Sequence, residues 1–200
     1  MRGALQPLRL FAAAAAVTAL AWIAPAARAQ TNGSPIRLTA MAVNMSNVGR
    51  DGTGTVEIQV DRWSSDADRE KLVSTLLNQG ENKLLDILRD MPRVGYIRST
   101  TSIGWDLHYA RMTPLPEGGQ RIILATDRPI GFREAYTQRR TIDYPFTVIE
   151  IHMNKDGEGE GKMSVATKIT ADKQDRVIQL ENFADQPVML KDVKAERASR

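Results

Sequence analysis

From Ile36 to Val193 the chain alternates between strict period-two stretches and one block of helical periodicity. Thr55 to Trp63 is the clearest strand pattern. Val56, Ile58 and Val60 lie on one side, and Glu57, Gln59 and Asp61 on the other, as a half-buried strand requires. Ile36 to Met45 precedes it, with Ile36, Leu38, Ala40 and Ala42 facing one way and a glycine-rich turn at 47–54 joining the two. Ser65 followed by Asp68 has the spacing of a helix N-terminal capping box. Leu72, Val73, Leu76 and Leu77 then recur at helical spacing, Gly80 interrupts, and Leu84, Leu85 and Leu88 resume before Pro92 stops the run. The pattern predicts two short helices packed on a sheet by one apolar stripe.

Further strands are expected at 94–98, 105–112, 120–126, 176–182 and 187–193. Across 105–112 the alternation places Trp105, Leu107 and Tyr109 opposite Asp106, His108 and Ala110. The most apolar hairpin runs from Tyr144 to Thr170, around a Gly-and-acid turn at 154–161. Its first strand places Thr147, Ile149, Ile151 and Met153 on one face and Phe146 and Val148 on the other, so both faces are expected to be covered. From Lys191 the sequence becomes charged and reads as the approach to a frayed tail at 194–200. The strands fall in sequence-local hairpins, with one helical insert at about 65–91. The expected class is therefore α+β: a mostly antiparallel, curved β-sheet or open barrel of about eight to nine strands. Regular β–α alternation is missing, which argues against a doubly wound nucleotide fold.

The N-terminus changes the charge argument. Arg2 and Arg9 flank the start of an apolar, alanine-rich run from Leu10 to Ala24, and Ala27-Arg28-Ala29 has the small-x-small form that a signal peptidase reads. The run is 15 residues long, against the ~20 that a helix needs to cross a bilayer. Residues 1–29 are read as a cleaved signal peptide, 30–35 as a mobile lead-in, and 36–193 as a single β-rich domain. The expected location is beyond the inner membrane, periplasmic or secreted, with no membrane span in the mature chain. Removing the leader takes three arginines from the 27 basic residues and no acid, which leaves 24 basic against 24 acidic residues. That balance gives no electrostatic case for a nucleic-acid partner. The chain has no cysteine, so the domain must be held by its core, and no thiol can serve as nucleophile or ligand.

Several segments resemble a family of uncharacterised exported bacterial proteins with no assigned function. They are Val60-Asp61-Arg62-Trp63-Ser64, Pro92 to Arg98, Ala125 to Ile130, Tyr144-Pro145-Phe146-Thr147, Gly159 to Lys162, and Gln186-Pro187-Val188. The resemblance covers most of residues 36–193. It implies one exported domain and transfers no site.

Candidate chemistry comes from three places. Asn154, Asp156, Glu158 and Glu160 alternate like calcium ligands, but the twelfth position, where an EF-hand needs a bidentate Glu, is Val165. The segment reads as a solvated turn, and neither a metal nor a cofactor is expected. His108 and His152 are the two histidines. With Asp106 or Glu150 they offer acid–base pairs, although they sit on separate strands and match no motif. The third is the connector Asp127, Arg128, Tyr136, Arg139 and Arg140, whose arginines suit a carboxylate or phosphate. The same connector also carries Asp127, Glu134 and Asp143, which suit simple ion pairing. No nucleophile elbow or phosphate loop is present. The leading expectation is a non-enzymatic binding domain for a small or apolar ligand or an envelope protein. The alternatives are a periplasmic hydrolase using a histidine and a carboxylate, and a structural envelope component.

Overall fold

The computed structural model describes residues 33–45, 52–100, 102–130, 143–172 and 177–197. Strands β1 (Ile36–Asn44) and β2 (Gly52–Val60) form the first hairpin, and helices α1 (Asp66–Gln79) and α2 (Glu81–Asp90) follow. Then come β3 (Gly95–Ser99), β4 (Trp105–Leu107), β5 (Tyr109–Pro114), β6 (Gln120–Thr126), β7 (Phe146–Met153), β8 (Glu158–Asp172), β9 (Val177–Asn182) and β10 (Val188–Arg197). The sheet is antiparallel throughout, in the order β4-β3-β2-β1-β10-β8-β7-β6-β5, with β9 paired to β8 beside the path.

The two ends of that order are joined covalently, because His108 alone separates β4 from β5. Its backbone N–H donates to the Ala125 carbonyl at 3.0 Å. Ser64 binds the other edge of β5: its N–H donates to the Ala110 carbonyl at 2.7 Å, and its Oγ accepts from the Ala110 N–H at 3.1 Å. The expected α+β class holds, and the sheet is a nearly closed barrel with two helices on it. Closure satisfies strand edges that would otherwise be left open.

Inward-facing side chains fill the barrel. Leu38, Ile58, Leu107, Leu124, Ile149 and Leu190 are each 0% exposed and belong to one apolar cluster. Burying each such side chain is worth roughly 1.5–3 kcal/mol. A cavity large enough for a ligand would leave its lining exposed to a water-sized contact, and these side chains have no such exposure. The barrel thus resembles small barrels whose interior is occupied by side chains.

The helices cover part of the outer wall. The capping box forms as expected: Ser65 Oγ accepts from the Asp68 N–H at 3.1 Å, and Asp68 Oδ2 accepts from the Ser65 N–H at 2.8 Å. Gly80, at φ 85°, makes the turn between the helices in a conformation that side chains disfavour. Leu72, Leu76, Leu84, Leu88 and Met91 pack over Phe146, with Tyr109, Ala125, Ile169 and Ala171 at the margin. The second face of β7 is therefore covered at Phe146 by helix. Further along, Glu150 is half-buried and His152 exposed.

Three expectations are corrected. The strand at 105–112 is two strands, and its alternation slips at His108: Leu107 and Ala110, three residues apart, are both fully buried. The charged segment after Lys191 is no frayed tail through Arg197, since β10 pairs with β1 from Val43↔Met189 to Ile36↔Arg197. The turn of the central hairpin is shorter than 154–161, because β8 begins at Glu158. In the lead-in, the Ser34 carbonyl accepts from Trp63 Nε1–H at 3.2 Å, so residues 33–35 lie against the barrel.

Candidate functional site

The connector begins where β6 leaves the sheet. Thr126 is fully buried, and Asp127 follows with its side chain 3% exposed. The backbone here is pinned from both sides. The Ile130 N–H donates to the Thr147 hydroxyl at 3.1 Å and to the Val165 carbonyl at 3.2 Å. The Thr147 hydroxyl in turn lies 2.7 Å from the Val165 carbonyl and 3.0 Å from that of Arg128. Asp127 and Arg128 are thus held by the barrel wall, as positioned binding groups should be.

Four groups converge on the Asp127 carboxylate, among them the adjacent Thr126 hydroxyl, which donates to Oδ1 at 3.4 Å. Arg128 Nε donates to Oδ1 at 3.2 Å, and Arg89 Nε, from the last turn of α2, donates to Oδ2 at 3.4 Å. His108 Nε2 faces Oδ1 at 3.7 Å, longer than a hydrogen bond. The other ring nitrogen of His108, Nδ1, lies 2.8 Å from the Met91 carbonyl at the end of α2 and so carries a proton toward it. Burial alone would push the Asp127 carboxyl upward. The Arg128 hydrogen bond and charge, the charge of His108 and the Arg89 hydrogen bond outweigh it and hold the carboxyl below the ordinary aspartate range. This cluster lies where the C-terminal end of α2 meets the outer wall, at the slip between β4 and β5. It is a joint between helix and barrel.

A second cluster lies further along the same wall. Arg121 on β6 donates through Nε to Glu150 Oε1 at 2.7 Å, and His152 Nε2 lies 2.9 Å from the same oxygen. Burial pushes Glu150 up, and its bonds to His152 and Arg121 bring it below the ordinary glutamate range. Arg121 pairs with His152 near the start of β6, whereas His108 bonds to Ala125 near its end. The two histidines therefore serve separate clusters and do not form one site.

Of the residues singled out from the sequence, the fold brings Asp127, Arg128 and His108 together and leaves His152 apart. Tyr136, Arg139 and Arg140 lie outside the described residues. Arg89 was missed. Its one signal was a basic residue in the last turn of a helix, which ordinarily reads as a dipole partner. The acidic turn is built as a turn. Asn154 Oδ1 accepts from the N–H groups of Asp156 and Glu158, while Glu158 and Glu160 pair with Lys194 and Lys191. Among the described residues, no three His, Asp or Glu side chains are placed to hold a metal ion.

The joint is poorly arranged for acid–base catalysis. A general base needs one ring nitrogen directed at substrate. His108 commits Nδ1 to a backbone carbonyl and turns Nε2 to Asp127. Two guanidinium groups are instead held by one buried carboxylate, an ion-paired joint between the helix and the end of β6. No family model matches the chain, and neither a curated protein nor a solved structure is significantly similar to it.

Proposed function

We propose that the protein is an exported, non-enzymatic binding domain that takes its ligand or partner on the outer wall of the barrel. The observation that carries this reading is the packed interior: Leu38, Ile58, Leu107, Leu124, Ile149 and Leu190, at 0% exposure, occupy its middle, which favours contact with a ligand on the outer surface. The orientation of His108 favours binding over hydrolysis, for the reason given above. Native mass spectrometry of the protein purified from its own host tests the reading. A bound molecule or partner that is retained in a His108→Gln variant is expected. Stoichiometric uptake of an apolar fluorescent probe into the barrel, or a hydrolytic activity abolished by His108→Gln, would overturn it. Export is tested on the same sample by N-terminal sequencing, with Gln30 expected as the first residue; an intact Met1 in the folded protein would refute the leader.

A second reading, an envelope-protein partner, is favoured by β9. Val177, Ile178 and Leu180 are 49, 46 and 50% exposed, and a half-exposed apolar strand at a sheet margin is a common docking element. If β9 carries the contact, Ile178→Lys with Leu180→Lys should release a co-purifying protein without lowering the melting temperature. Retention of the partner by that variant would eliminate β9 as the contact.

A further inference from the structure

Resting on the outer-wall reading, we propose that Met41, Met45 and Met189 form a thioether site for a soft monovalent cation, Cu(I), on the outer face of β1 and β10. Burial fixes which way these strands face. Leu38 and Ala40 on β1, and Val188 and Leu190 on β10, lie in the barrel core. Alternation then turns Met41, Val43 and Met189 outward. Val43 stands directly opposite Met189, and Met41 opposite Lys191. Met189 is thus the diagonal neighbour of Met41, at ~7–8 Å between Cα atoms, within reach of long side chains. Met45 continues the same face of the chain on the other side of Val43, just past the end of β1. With three rotatable bonds each, these side chains can turn their sulfurs toward one ion beside Val43.

The distribution of methionine is uneven. Met1 belongs to the leader, Met91, Met153 and Met163 are buried, and Met112 packs against the barrel core. The remaining three are those gathered on this wall, where Met41 is 42% and Met45 63% exposed. Elsewhere the outer wall carries paired charges, such as Glu57 with Arg98 and Glu150 with Arg121. The surroundings also select the ion. Thioether sulfur is a neutral, soft ligand of the kind that selects Cu(I). The strand positions facing Met41, Val43 and Met189 are Thr55, Thr53, Lys191 and Lys162, none of them a carboxylate. Lys191 is drawn away from Met41, its Nζ lying 2.6 Å from Glu160 Oε2 on β8. Calcium and magnesium need oxygen ligands, and zinc is held by thiolate, imidazole or carboxylate, so this wall offers them little.

The test is NMR on the full chain purified from its host with methyl-labelled methionine, titrated under argon with the acetonitrile complex of Cu(I). Saturable shifts of the Met41, Met45 and Met189 methyl groups are expected, with Met91, Met153 and Met163 unmoved. A thioether has no proton to lose, so the affinity should be the same at pH 7.5 and pH 5. A site on His152 would instead weaken as the ring protonates near its ordinary pKa of about 6.5. Met189→Leu, a volume-conserving change, should weaken binding by about tenfold or more, and Met112→Leu should leave it unchanged. Three outcomes overturn the proposal: no saturable methyl shift in the wild-type protein, an affinity that falls between pH 7.5 and pH 5, or equal loss in Met189→Leu and Met112→Leu. The wild-type titration needs no variant to fold. If Cu(I) fails while native mass spectrometry still finds a bound partner, the thioether site falls and the binding-domain reading stands.

Discussion

The Asp127 joint and the Glu150 cluster have the same cast: a carboxylate, a histidine and arginine. They differ in burial and in what their members hold together. Asp127 is almost fully buried and links α2, the β4–β5 slip and the end of β6. Glu150 has a side chain 36% exposed, and its partners stand beside it, His152 on the same strand and Arg121 on the neighbouring β6. Two strands already hydrogen-bonded along their length gain little from one more surface pair, because water screens it and the geometry exists without it. A buried carboxylate that joins separate elements is different. Its hydrogen bonds are made in a low-dielectric setting, and losing them leaves polar groups without partners.

This contrast can be broken by experiment. The largest effect is expected from Asp127→Asn, a loss of about 2–4 kcal/mol in urea unfolding, against under about 1 kcal/mol for Glu150→Gln. Equal losses would show that burial does not separate the two clusters. Next, His108→Ala should cost about 1–2 kcal/mol through its bond to the Met91 carbonyl, and His152→Ala close to nothing.

The pH dependence follows in sign from the Asp127 carboxyl being held low. The unfolded chain protonates this group first as pH falls, so protons favour unfolding. The stability difference between the wild type and Asp127→Asn is then fully present above the ordinary aspartate pKa of about 3.9 and closes as pH drops through and below it. A difference that stays constant from pH 6 to pH 2 would contradict the assignment. Ser65→Ala is expected to cost about 1 kcal/mol in the same urea unfolding measurement, through loss of the capping box. An unchanged urea midpoint in that variant would mean that the capping box adds no stability.

The alternating pattern located most of this fold. The inward faces of β1 and β2, the limits of β6 and both helices agree with it. Its failures share one physical form. Leu107 and Ala110 both point inward, and so do Leu190 and Val193, each pair three residues apart. At the first pair the strand changes neighbours around His108. At the second, Asp192 adopts φ 51° and the register of β10 slips against both β1 and β8. A bulge adds a residue and inverts the parity of everything after it, so a period-two reading ends where the strand in fact continues.

The site was legible only in part. Asp127 and Arg128 stand next to each other, and their pairing could be read directly. Arg89 lies 38 positions before Asp127, and no local pattern links them. Local periodicity determined which side chains enter the core, because burial of apolar surface acts on each strand and helix separately. Barrel closure decided which charged groups meet, because it places a helix end, a strand break and a strand terminus side by side. Hydrogen bonds between such groups depend on distances that only the closed sheet establishes.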